Sequence, residues 1–148
     1  MAARRGYVHA YPEHGIGMKF MLLIYNDTAL HDAMPASEFD SKMHDCLTHA
    51  DELREYGFLL DSQQLDEPAT AKSVRIRKGR QTITDGPFSE SKEVLGGFNL
   101  IEAENMEEAV KIAAEFPWAQ TGCVEVRPVR DLGMVRQRVS GAKATAAR

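Results

Sequence analysis

Lys19-Phe20-Met21-Leu22-Leu23-Ile24-Tyr25 is a nearly continuous apolar run, and the way it is covered decides the fold. It is far shorter than the roughly 20 residues of a membrane span, and no other stretch of the chain comes close. A run of this length reads as a strand covered on both faces. Side chains alternate across a strand, so Phe20, Leu22 and Ile24 share one face while Met21, Leu23 and Tyr25 share the other.

Downstream, Pro35 leads into Ser37, a candidate helix N-cap. Phe39, Met43, Cys46, Leu47, Ala50 and Leu53 then recur at spacings of three and four, which makes one apolar stripe on a helix. Gly57 sits where a helix usually ends. Phe58 to Leu65 is a second strand. Val74-Arg75-Ile76-Arg77 alternates, Lys78-Gly79-Arg80 supplies a turn, and Gln81 to Thr84 returns as a hairpin arm. Leu95 to Glu102 is another strand. Asn105 with Glu108 three residues on forms a capping box for a helix whose apolar face is Met106, Ala109, Val110, Ile112, Ala113 and Phe116; Pro117 stops it. Val124, Val126 and Val129 mark the last strand.

The predicted order is β-α-β, a hairpin, then β-α-β: an α+β, ferredoxin-like domain over 18–130. Residues 1–17 and 131–148 lack periodicity, and both are expected to be flexible extensions. Two helices cover only one face of such a sheet. The other apolar face of the first strand needs a partner, and a second copy packing sheet against sheet is the simplest one.

Composition narrows the classes. A net charge of -4 gives no positive footprint, so nucleic acid is not an expected partner. Two cysteines, Cys46 and Cys123, are too few for a disulfide framework, and no signal peptide is visible. A cytoplasmic protein with free thiols in apolar settings is expected. Asp45 and His49 stand four apart on the first long helix but lack a third ligand, so no metal site is expected. No Walker-type phosphate loop or Gly-x-Ser-x-Gly elbow is present.

The stretch Asp85-Gly86-Pro87-Phe88-Ser89-Glu90-Ser91-Lys92-Glu93-Val94-Leu95-Gly96-Gly97-Phe98 remains. Asp-Gly-Pro is strong turn chemistry, and paired glycines inside a strand mark a bulge or a close approach to the backbone. The stretch resembles the signature of the DGPF family, within the wider YCII-related group. Its flanks match too, from the opening at Met18 to Val124-Glu125-Val126-Arg127-Pro128.

The resemblance implies a dimeric α/β barrel, and a group whose members are largely uncharacterised. Relatives in that wider group have been proposed to use a His–Asp pair with the His on the first helix. This chain departs from that pattern: the corresponding position falls at Asp45 or Cys46, with His49 one turn on. Asp85 and His49 are therefore the candidate catalytic pair, with Tyr25, Lys92, Gly96 and Gly97 as candidate ligand-binding residues and no cofactor. By analogy the function is that of a small-molecule enzyme using general acid/base chemistry. The alternative is a non-catalytic ligand-binding or regulatory module linked to sigma-factor-type transcription control. A small molecule is the candidate ligand in either case.

Overall fold

The computed structural model describes residues 17–146, with side chains described for 17–141. The N-terminal extension therefore lies outside the described residues except for Gly17. The elements are β1 (Met18–Asp27), α1 (Thr28–Asp32), α2 (Ala36–Glu55), β2 (Leu59–Gln64), β3 (Lys72–Arg77), β4 (Arg80–Asp85), β5 (Glu93–Ala103), α3 (Met106–Ala114), β6 (Gly122–Pro128) and α4 (Leu132–Ala146). Strands β2-β5-β1-β6 form one antiparallel sheet, and β3-β4 form a separate ribbon. The α2 crossover passes over β5 and the α3 crossover passes over β1, so this is the ferredoxin-like α+β plan with a hairpin inserted.

The alternation expected in β1 is present. Phe20, Leu22 and Ile24 are buried, and Phe20 and Leu22 join Leu53, Phe58, Ile101, Ile112 and Phe116 in the core. Met21, Leu23 and Tyr25 lie on the opposite face and are half-buried. Their register partners on β5 are Leu100, Phe98 and Leu95, so the two central strands carry an apolar band on the face away from that core.

Several local signals act as their chemistry requires. Gly57 takes φ +83°, while its N–H donates to Arg54 O and that of Phe58 to Leu53 O, at 3.1 and 2.8 Å. That is a Schellman end to α2, with Leu53 and Phe58 both buried beside it. Lys78 and Gly79 both have positive φ, as a two-residue type I′ hairpin turn demands. Asn105 Oδ1 accepts from Glu108 N, and Glu108 Oε1 accepts from Glu104 N.

Three expectations change. Helix α2 begins at Ala36 with Pro35 in the cap position and no side-chain cap, because Pro35 is already held extended at φ -61°. Ser37 lies inside the helix. Residues 132–146, read as a tail without periodicity, run as α4, where Leu132, Val135 and Val139 recur at helical spacing among alanines and arginines. Cys123, expected in the core, is exposed on β6 opposite Tyr25.

Candidate functional site

The apolar stripe of α2 divides in two. His49, Ala50 and Leu53 at its C-terminal end are buried, whereas Phe39, Met43 and Cys46 are half-buried and line a cavity of about 210 Å³. The sheet below explains why. Where a packed core would need apolar side chains, the strands present Asn26, Asn99, Gly96 and Gly97. The glycines have no side chain to fill the gap. Their absence of Cβ is also structural: one on Gly97 would stand 2.8 Å from Gln63 O, and one on Gly96 would collide with Asn26 Nδ2. The β1–β5 register shifts at this point, as a glycine-marked bulge would do.

The walls combine an aromatic row with carboxamides. Phe39 lies between His31 and Trp118, at ring separations of 5.6 and 5.8 Å. Gln63 and Gln64 at the end of β2 line the side opposite. A second hollow of about 320 Å³ adjoins the first and shares Asn26, His31, Phe39, Gln64 and Gly96 with it. Its rim carries Asp32, Asp66 and Glu67. Burial raises the Cys46 thiol above its ordinary range, opposed by a hydrogen bond with Trp118. Cys46 thus stays a protonated wall residue and not a nucleophile.

Four polar side chains are buried among the described residues: Asp27, His49, Asn99 and Glu108. Asp27 accepts from Leu30 N at 3.2 Å and faces Lys92 Nζ at 3.5 Å. The Leu30 hydrogen bond is the main cause holding its carboxyl below the ordinary value, with the Lys92 charge adding to it against burial. His49 Nε2 lies 3.1 Å from Ile112 O, and Glu108 serves its capping box. Asn99 is 2 % exposed, and no hydrogen bond satisfies its side chain among the described residues. Its register partners are Leu22 and Ser62, so it shares the helix-side face with Leu22 and lines the cavity. A buried amide without a partner is costly and uncommon, and it calls for an explanation.

The candidate residues read from sequence separate in space. Gly96 and Gly97 line the cavity. Lys92 stands beside it and pairs with Asp27. Tyr25 belongs to the sheet face opposite the core. One chain does not bring Asp85 and His49 together. The Asp85 side chain is 82 % exposed and pairs with Lys72 across the β3-β4 ribbon, because the Asp-Gly-Pro turn is tied to β3. Gly86 N donates to Ala71 O there, and Gly86 O and Phe88 O accept from Ser73 and Arg75. His49 points toward α3 instead, edge-on to Phe116 with Nδ1 3.6 Å from Glu115. No group of three or more metal-ligating side chains gathers among the described residues.

Sequence reasoning missed Asn26, His31, Asn99 and Trp118. Asn99 carried a signal: it shares its strand face with Gly97 and Ile101, so an amide there faces the core. His31 sits on α1, a short helix capped by Asp27 that periodicity could not reveal.

Comparison with known proteins gives two results. Residues 18–133 match the YCII-related domain. An uncharacterized protein of Rhizobium meliloti (strain 1021) is 33% identical over 114 residues, covering 76% of this chain and 92% of that protein. The matched span starts with β1 and closes just after β6, so the sheet, its two crossovers and the cavity all fall within it, and the chain belongs to the YCII-related family.

Proposed function

We propose that this domain binds a small molecule in the cavity between α2 and the sheet, and that it does so as a homodimer. The observation that carries the reading is Asn99. A buried amide with no protein partner costs about 1–3 kcal/mol, and a ligand offering a hydroxyl or carbonyl would remove that cost. The aromatic row and Met43 supply an apolar surface, and the polar groups are few and convergent, as small-molecule sites usually are.

The dimer would pair the apolar bands of β1 and β5, which the helices leave open. We place the protein in the cytoplasm, where Cys46 and Cys123 would stay free thiols. The described residues include no helix long and apolar enough to cross a membrane.

General acid/base catalysis is a second reading, and His31 favours it. This imidazole lines both hollows beside Asp32, Nδ1 to Oδ1 3.9 Å. Within one chain the acid/base role would fall to His31 and not to Asp85 with His49. A regulatory module for sigma-factor-type transcription control needs only the binding step.

The test is a metabolite panel read by melting temperature and by the fluorescence of Trp118, the only tryptophan in the sequence. A true ligand raises the melting temperature by mass action and perturbs Trp118. Stabilisers that act equally on an Asn99→Leu variant would refute the site. Turnover of a bound compound, lost in His31→Gln with binding kept, would establish the second reading.

A further inference from the structure

The two adjoining hollows differ in charge character, and the difference selects a ligand class. Among the described residues their linings hold the carboxamides Asn26, Gln63, Gln64 and Asn99, the single imidazole of His31, and the rim carboxylates Asp32, Asp66 and Glu67, but no lysine or arginine. Lys92 is the cation of the neighbouring loop, and it faces Asp27. Asp66 Oδ1 accepts from Glu67 N, and Asp32 faces His31. The Glu67 carboxylate has no partner among the described residues.

We infer that the ligand is an amine, with an apolar or aromatic body held between the His31-Phe39-Trp118 row and the sheet and a cationic nitrogen at the carboxylate rim. The inference rests on the small-molecule reading above and names the chemistry of its ligand. An acidic rim alone would be a solvated surface. The independent sign of a ligand is Asn99, unpartnered among the described residues and buried in the lining of the first hollow, which adjoins the acidic one through Asn26, His31, Phe39, Gln64 and Gly96. A hydrogen-bonding group on the body of the amine reaches that amide. Anionic ligands, carboxylates and phosphates alike, would meet three carboxylates with no lysine or arginine in the lining to receive them. The rim carboxylates are exposed, so each contributes modestly, and screening by salt weakens them further.

Three compounds of one shape test this: tyramine, its alcohol analogue tyrosol and its carboxylate analogue hydroxyphenylpropanoate. Each carries a phenol for Asn99, and they differ only in the charge at the rim. Affinity is read on the full chain by Trp118 fluorescence and by calorimetry at low salt. Tyramine should bind about tenfold more tightly than the carboxylate, with tyrosol between. The preference should shrink with added salt. It should also shrink in an Asp32→Asn/Asp66→Asn/Glu67→Gln variant, which removes the three rim charges; an unchanged preference there overturns the assignment. A carboxylate that binds as tightly as tyramine, while Asn99→Leu weakens all three, overturns the amine assignment and leaves the cavity reading intact. Silence of Trp118 toward all three overturns both.

Discussion

Lys92 reaches back from the loop after the hairpin to the end of β1, its Nζ 3.5 Å from Asp27 Oδ2. The same loop accepts at Lys92 O from Thr28 N at 3.1 Å. Backbone and side chain together hold the motif loop against the β1–α1 junction, which carries Asn26 and His31. This lysine of the motif thus has a structural duty beside the cavity.

The first prediction concerns the pH dependence of that junction. Asp27 has a folded pKa below its ordinary value of 3.8, mainly through the Leu30 N–H and then through Lys92. A depressed carboxyl contributes stability that is fully present above the unfolded value and is lost as pH falls through the folded one. Asp27→Asn should therefore be less stable than the parent at neutral pH, and the gap should close in acid below 3.8. Denaturant titrations of both proteins across that range measure it. A gap of constant size down to the lowest pH would show that the carboxylate charge is not the cause.

Asn99→Leu should stabilise the ligand-free protein. The substitution replaces an unsatisfied buried amide with an apolar group of similar size, and the desolvation cost it removes is about 1–3 kcal/mol. The same change should abolish ligand-induced stabilisation. Urea denaturation without ligand gives the first quantity and melting with ligand the second. A variant less stable than the parent would mean that Asn99 is already satisfied in the folded chain.

The two adjacent glycines should respond differently to alanine. A Cβ on Gly97 meets the backbone oxygen of Gln63, which cannot move without disturbing the β2–β5 pairing. Overpacking of that kind costs about 1–3 kcal/mol. A Cβ on Gly96 meets the end of the Asn26 side chain, which can swing away. Gly96→Ala should lose less than about 1 kcal/mol, and the displaced Asn26 should weaken ligand binding. Equal destabilisation by both substitutions would argue that the whole bulge is rigid and that Gly96 serves the sheet alone.

These contrasts show how much was legible in the sequence. Period-two and period-3.6 patterns place β1, α2 and α3 because burial of one face enforces them, and Gly57, Gly79 and Asn105 punctuate the chain through backbone chemistry that is local. Of the residues singled out as candidates, only Gly96 and Gly97 line the cavity. The pairing of Asp85 with His49 depended on where the Asp-Gly-Pro turn goes, and hydrogen bonds outside any periodic pattern tie that turn to the β3-β4 ribbon. The cavity arises from what is missing between α2 and the sheet, so it becomes visible only when Phe39 and Met43 are seen above Asn99 and the glycines. The helix from Leu132 was not legible, because Gly133 and Gly141 masked its spacing.

The homodimer makes the last prediction, and the structure now distinguishes two neighbouring leucines. Leu22 is fully buried toward the helices, whereas Leu23 is half-buried on the opposite face with Phe98 as its β5 partner. An aspartate at Leu22 would place an unpaired charge in the core, which a marginally stable domain cannot absorb. Leu22→Asp should therefore fail to fold. Leu23→Asp leaves the core untouched and puts a charge in the apolar band of β1 and β5. If that band is the sheet-to-sheet interface, the charge should split the dimer while the circular dichroism of the fold persists. A specific interface of standard size removes about 1,600 Å² from water, enough that one central charge dominates the balance. Light scattering of the parent and of Leu23→Asp decides the matter. Dimeric mass for the parent and monomeric mass for the folded variant are expected. A parent protein that is monomeric throughout the micromolar range, or a Leu23→Asp protein that stays dimeric, would remove the sheet-to-sheet arrangement from consideration.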